Sequence, residues 1–309
     1  MGLVGFCGWH TYTGPGPLST EQDIVVPHGN YATTLSALQS AGVIPADWWS
    51  SRIFLSAVAL TRKDGQLHAA ELHFPAYASI AQTLWILRHG KPVQHRLTIP
   101  EGLTAWQIQA LIQAAPFLTG DTPLPEEGST LPQTYTYLRN SSRKDLLAHM
   151  QASMAQTLKQ IWAEREPGLP LNSPAELVTL ASVVEKETAQ PAERPSVARV
   201  FYNRLQKNMR LQTDPTVIYA LTQGKPPLDR PLTHADLQTS SPYNTYVNTG
   251  LPPGPICSPG SAALEAAAHP AQGDMLYFVA NGTGGHNFAS TLAEHNHNVV
   301  LFRRQKTSH

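Results

Sequence analysis

Three features of the sequence predict an α+β fold. Short extended segments alternate with amphipathic helices in the first half of the chain. The second half reads as a succession of helices with one late strand. No run of βα units carries a Gly-rich phosphate loop, and the lysine of GKPPL lacks the flanking pattern of one.

The elements follow in order. MGLVGFCGW is an apolar stretch of 9 residues, against the roughly twenty that span a bilayer. It lacks the basic region and small-residue cleavage site of a signal peptide. It leads into HTYTGPGPLST, a Gly/Pro/Ser/Thr linker. Two readings stay open: a disordered soluble terminus, or the stub of a membrane anchor. DIVVPHGNYATTLSALQSAGVI then predicts a strand, a Pro-x-Gly turn and a helix ending near Gly42. About seventy residues on, HRLTIPEGLTAWQIQALIQAA repeats the layout, with Pro100 and Gly102 in the places of Pro27 and Gly29. Either two related modules or chance accounts for this.

Between them, ALTRKDGQLHAAELHF predicts extended segments flanking a turn at Asp64-Gly65. SIAQTLWILRHG predicts a helix stopped by Gly90. A long polar helix is expected from about Ser142 to Glu166. Asn172 or Ser173 can cap the next, with Pro174 in its first turn. Helices through Thr188 and over RPSVARVFYNRLQKNM follow. Then come RLQTDPTVIYALT, a Pro-rich turn, the loop SPYNTYVNTGLPPGPICSPG, the Ala-rich SAALEAAAHP, a buried strand in MLYFVANG, and GGHNFASTLAEHNHNVV. The natural divisions are a stub and linker over 1–20, a small module over 21–95 and a larger domain over 96–309.

Composition narrows the function. The 309 residues are 41% hydrophobic and 14% charged, with no net charge, where about a quarter charged is usual. A neutral, Pro- and His-rich chain has no electrostatic footprint for nucleic acid and suits neutral partners such as sugars. Cys7 and Cys257 form no disulfide framework, and no CxxC spacing suggests zinc.

The local sequence that carries chemistry is LVTLASVVEKETAQPAERP. At about 100° per residue, Leu177, Leu180, Ala181 and Val184 form an apolar arc, and Lys186 points away from it. Glu185 falls outside the arc, where a surface glutamate belongs. Glu187 falls inside it, between Val183 and Leu180. Burial disfavours a carboxylate, so the pKa of Glu187 should rise, as a proton donor near neutral pH requires. The other reading pairs it with Arg194 or Arg199.

Thr188 can offer a hydroxyl near that carboxyl, and Arg194, Asn203 and Arg204 lie on the next helix. Asn208 can adopt the left-handed conformation that returns LQTDP towards the first helix. Asp214 either forms a turn or adds a second polar group. Tyr243, Asn244 and Tyr246 lie in a loop with a Gly/Pro wall that suits sugar rings or is an ordinary surface loop. His286, His295 and His297 could suggest a metal hydrolase, but no acidic ligand stands near their H-x-H pair; His286 fits better as a site wall or packing residue.

LASVVEKETAQPAERPSVARVFYNRLQKNMRLQTDPTVIYAL, YNTYVNTGLPPGPICSPG, AAAHP and YFVANGTGGHNF, in that order, closely resemble the MltG (YceG-like) family of endolytic peptidoglycan transglycosylases. TIPEG extends the resemblance upstream. The resemblance implies a LysM-like module over 21–95 and a mixed α/β catalytic domain with a lysozyme-like cleft over 96–309. It also implies a single N-terminal anchor in the bacterial inner membrane and a periplasmic catalytic domain. It makes Glu187 the catalytic residue. Expected substrate contacts are Thr188, Asn203, Arg204, Gln212, Thr213, Asp214, Tyr219, Tyr243, Asn244, Tyr246 and His286. Two departures stand out: Gln133 where the family has Asp, and Asn208 where it has Gly. The implied reaction cleaves the β-1,4 bond between N-acetylmuramic acid and N-acetylglucosamine within peptidoglycan glycan strands, with 1,6-anhydro ends. It needs no cofactor or metal, and peptidoglycan synthases are candidate partners. A muramidase using Asp214 and a non-catalytic glycan binder are the alternatives.

Overall fold

Side-chain caps set most helix starts. Asn30 accepts from the Thr33 N–H ahead of α2 (Tyr31–Ser40), and Asp47 from Ser50 ahead of α3 (Trp48–Leu60). Ser79 and Gln82 form a reciprocal capping box on α4 (Ile80–His89), as Thr104 and Gln107 do on α5 (Ala105–Ala114). Each such cap satisfies N–H groups that a helix leaves without partners, at about 1 kcal/mol. Ser142 caps α6 (Arg143–Glu164). Of the two candidates before α7 (Pro174–Glu187), Ser173 takes the role, with Pro174 at the first position.

The computed structural model describes residues 2–225 and 228–307. The Pro-rich turn expected around Pro226 and Pro227 lies outside the described residues. The chain divides into two compact units, Met1–Arg96 with Thr136–Ser141, and Leu97–Tyr135 with Ser142–His309.

The first unit holds α1 (Leu3–Thr13), β1 (Gln22–Val25), α2, α3, β2 (Glu71–Phe74) and α4. β1 and β2 pair antiparallel, with Gln22 opposite Phe74 and Val25 opposite Glu71. Ile24, Leu35, Leu38, Phe54, Val58, Leu72, Phe74, Leu84 and Leu87 make its core. Helix α3 corrects the sequence reading at its edge. Ala59 and Leu60, expected to be extended, complete its last turn, and a 3₁₀ turn over Arg62–Asp64 leads to Gly65. Among the described residues, no helix is long and apolar enough to cross a membrane.

The second unit is mainly helical. β3 (His95–Thr98) and β4 (Thr134–Tyr137) form a two-stranded sheet, and the division between the units runs through both strands. After α6 and α7 come α8 (Arg194–Gln206), α9 (Asp214–Thr222), α10 (Ser261–Ala268), the antiparallel pair β5 (Tyr277–Ala280) and β6 (His286–Ala289), and α11 (Leu292–Thr307). β5, expected to be buried, is only half-buried. α7 is the central helix and packs on α6, α8, α9 and α10. Leu177, Leu180, Ala181, Val183 and Val184 are fully buried in that core, at about 1.5–3 kcal/mol for each large side chain.

Candidate active site

The end of α7 is held from several directions. Ser182 Oγ donates to Thr179 O at 2.7 Å and accepts the Ile256 N–H at 3.0 Å, which ties the Gly/Pro-rich loop to the helix. Glu185 was expected on the surface, but the structure buries it. Its side chain is 6% exposed and pairs with Arg194 at 3.0 Å. It also accepts the Gly260 N–H at 3.0 Å. Burial raises its pKa against the pull of those two partners. Arg194 and Arg199, the two candidate partners of Glu187, are both committed elsewhere. Arg194 serves Glu185 and Glu101, and Arg199 serves Glu166.

Glu187 is the last residue of α7 and lines a cleft of about 430 Å³. Burial is the main cause that pushes its pKa up to about 7. The Asp214 carboxylate adds to the rise, while the Thr213 hydroxyl, His286 and Arg204 act the other way. Thr213 Oγ1 is buried and makes no hydrogen bond of normal geometry, yet it lies near enough to favour the Glu187 anion.

The chain after α8 supplies the opposite wall. Asn208 takes the left-handed conformation (φ 52°), and its N–H reaches Leu205 O at 3.0 Å. Arg204 then pins the returning strand, donating to Leu211 O at 2.7 Å, Arg210 O at 3.3 Å and Leu276 O at 2.7 Å. Gln212 is also left-handed (φ 52°) and donates its N–H to Thr245 O at 3.1 Å. Such residues cost of order 1–3 kcal/mol and collect at functional sites. Buried Thr216 and Thr245 share a 2.8 Å hydrogen bond that locks the tyrosine loop to α9. Within that loop, Tyr246 donates to Asp214 Oδ1 at 2.7 Å.

Of the residues singled out in the sequence, Glu187, Arg204, Gln212, Asp214 and Tyr246 line the cleft together. Thr213 lies beside Glu187. The others serve the frame. Thr188 turns its hydroxyl to Glu193 at 3.3 Å, away from the expected partner, and accepts the Gln190 N–H at 3.0 Å. Asn203 donates to Gly273 O and Met275 O, at 3.1 and 2.9 Å. Asn244 is fully buried and holds the carbonyls of Leu237 and Thr239. Tyr219 and Tyr243 pack ring to ring at 4.8 Å, outside the cleft lining.

His286 is bound to Glu193 through its Nδ1 at 2.7 Å and its N–H at 2.8 Å, and sits edge-on to Phe278. Burial alone would raise the pKa of Glu193, but the hydrogen bonds from His286 outweigh it and the net shift is down.

The cleft also contains His295, singled out in the sequence only as a weak metal-ligand candidate, and Phe201, Leu211, Tyr277, Phe278 and Leu292, which were not expected in it. The aromatic pair in MLYFVANG was the available signal. His295 stacks on Tyr277 at 5.1 Å, and burial lowers its pKa. His297 lines a different hollow, with Phe288 and Glu294. No group of three or more His, Cys, Asp or Glu among the described residues is arranged to hold a metal ion. The site therefore offers one half-buried carboxyl near neutrality, a second carboxyl fixed by a tyrosine, an arginine, and stacking faces. That set can move a proton onto or off a sugar oxygen.

Comparison with known proteins gives a consistent picture. The sequence profile of the YceG-like family matches residues 24–300. The chain is 43% identical over 176 residues to a Bacillus subtilis (strain 168) protein named endolytic murein transglycosylase, covering 56% of this chain and 46% of that one. A protein of the same name from Streptococcus pneumoniae (serotype 2, strain D39) is 36% identical over 197 residues, covering 62% of this chain and 34% of that one. The matched part thus spans less than half the length of these relatives. The crystal structure of a YceG-like protein from Listeria monocytogenes superposes with a TM-score of 0.55 at 32% identity, over 90% of this chain and 99% of that one.

Proposed function

From the premise that this chain belongs to the YceG-like family, we propose that it is an endolytic murein transglycosylase with Glu187 as its catalytic acid and base. The observation that carries this reading is the Glu187 carboxyl, half-buried at the edge of a cleft and brought to a pKa of about 7. A group so poised is part protonated and part ionised at neutral pH, as a residue that acts first as acid and then as base must be.

Protonated Glu187 gives its proton to the glycosidic oxygen between N-acetylmuramic acid and N-acetylglucosamine, and the bond to C1 breaks. The muramoyl C6 hydroxyl then attacks C1 and closes a 1,6-anhydro ring. The carboxylate takes the hydroxyl proton, which restores the acid and balances the reaction. The attack is intramolecular, so no water must be positioned and one carboxyl can serve where ordinary glycosidases use two. Tyr246, Tyr277 and Phe278 offer faces to sugar rings, and Arg204 offers a donor.

The same reading makes residues 21–95 a LysM-like module that holds the glycan. It carries with it a periplasmic location, a single inner-membrane anchor and peptidoglycan synthases as partners. Fractionation of the natural product checks the location.

Digestion of isolated glycan strands tests the chemistry. Wild-type protein should release fragments with 1,6-anhydro ends, and Glu187→Gln should lose about 10²–10⁴-fold in rate while remaining folded. Because Asp214 shares the cleft, two-carboxylate hydrolysis is the competing outcome. Reducing ends from the wild type would establish it, and near-normal cleavage by Glu187→Gln would overturn both mechanisms.

A further inference from the structure

A second cavity, of about 280 Å³, shares the ends of α7 and α9 with the catalytic cleft. Glu187 and Asp214 line the cleft, and their chain neighbours Lys186 and Pro215 line the second cavity. Neighbouring residues on the same two helices thus border both hollows.

That cavity is built rather than incidental. Beside it, the half-buried Glu127 accepts the Ala105 N–H at 2.8 Å and the Tyr219 hydroxyl at 3.2 Å. The Thr104 hydroxyl donates to Gly224 O. Gly224 has φ +73°, and a Cβ there would lie 3.1 Å from Glu127 Oε2 and 3.3 Å from Thr104 Cβ. The turn that presents Lys225 is therefore fixed by close packing.

The charges are one-sided. Lys186 and Lys225 both face the cavity, and neither forms an ion pair among the described residues. Lys186 Nζ reaches only Gly102 O, at 3.4 Å. The adjacent Glu185 is taken by Arg194. Burial raises the pKa of Glu127, and its oxygens are already engaged by the Ala105 N–H and the Tyr219 hydroxyl. Pro215, Ile218 and Tyr219 supply an apolar face between the two ammonium groups.

We propose that this cavity binds the carboxylate-bearing peptide branch of the glycan strand. The inference rests on the transglycosylase reading. The sugar whose C1 bond Glu187 would break is the muramoyl residue, and that is the sugar carrying a peptide on its lactyl group. A short peptide with free carboxylates and small aliphatic side chains matches two ammonium groups that form no ion pair among the described residues and share a cavity with an apolar wall. The cavity thus favours peptide-bearing over bare glycan.

The experiment compares wild type, Lys186→Ala/Lys225→Ala and Lys186→Arg/Lys225→Arg on glycan strands with intact peptides and on strands stripped of them by an amidase. The alanine double variant should lose about tenfold in kcat/KM on peptide-bearing strands, stay within about twofold of wild type on bare strands, and be largely rescued by arginine. Equal loss on both substrates, or no loss on either, overturns the proposal. A binding titration with disaccharide-peptide, bare disaccharide and free peptide separates this from the reaction assignment. The wild type should bind disaccharide-peptide more tightly than bare disaccharide, and the alanine double variant should lose that difference. If the wild type cleaves nothing but this difference holds, the reaction assignment fails and the cavity stands. If the wild type binds both disaccharides alike, the cavity assignment fails whatever the reaction.

Discussion

Tyr246 donates its phenolic proton to Asp214 Oδ1 at 2.7 Å, and both side chains line the cleft that contains Glu187. The bond holds a carboxylate where its charge is felt by Glu187, the proposed catalytic acid. Asp214 is among the groups that raise the Glu187 pKa, after burial itself. Asp214→Asn should therefore lower that pKa. The acid must be protonated to start the reaction, so activity is present below its pKa and fades above it. Asp214→Asn should move the basic limb of the pH profile of kcat/KM to lower pH, with a loss of a few-fold at pH 8 and little at pH 5.5. Product ends should remain anhydro. Tyr246→Phe, which only loosens the hold on Asp214, should change the profile no more than Asp214→Asn does. An unmoved limb in Asp214→Asn would show that the carboxylate does not act on Glu187.

Glu187 also leaves a mark on stability. Its pKa rises from 4.5 to about 7 on folding, with burial the largest cause. A raised carboxyl binds its proton more tightly in the folded state, so its neutral form is at no disadvantage at low pH. Stability is then lost as pH climbs between the two values, up to about 3 kcal/mol. Glu187→Gln removes that penalty. Urea denaturation should find the variant more stable than wild type at pH 8, by up to about that amount, and nearly equal at pH 4.5. A pH-independent difference would mean that the carboxyl is not perturbed by burial.

How far the site was legible depends on whether one helix decides it. The position of Glu187 follows from the 100° spacing of Leu180, Val183 and Val184, all on α7. Ser173, Pro174, Gly42, Gly90 and Asn208 act through local backbone geometry, and each sits where its chemistry suggests. Glu185 was misplaced because its partner arrives from α8 and its N–H donor from the start of α10. Thr188 likewise turns to Glu193 in the connection that follows. Tyr277, Phe278 and His295 reach the cleft because β5 packs on α8 and α11 packs on the β5–β6 hairpin, and no local pattern encodes that return. Helix α3 is hidden for a different reason. Its serines, adjacent tryptophans and β-branched residues blur the helical period, and Asp47 is its one clear signal.

The Glu185–Arg194 pair makes the last prediction. Arg194 is buried between Glu185, 6% exposed, and Glu101, 43% exposed. Removing the guanidinium strands the Glu185 carboxylate near the end of α7, whereas Glu101 can turn to solvent. Arg194→Ala should therefore cost about 3–5 kcal/mol near pH 7.5, the usual penalty for an orphaned buried charge, and Glu101→Gln about 1 kcal/mol or less. The loss should shrink at pH 5, where Glu185 can take up a proton, because burial already raises its pKa and the arginine no longer opposes this. Adding Glu185→Gln should recover much of the stability, since the amide oxygen can still accept the Gly260 N–H while no charge is left uncompensated. Urea titrations of the single and double variants at both pH values measure these differences. If Arg194→Ala and the double variant were equally destabilised at both, the arginine would be acting through packing rather than charge.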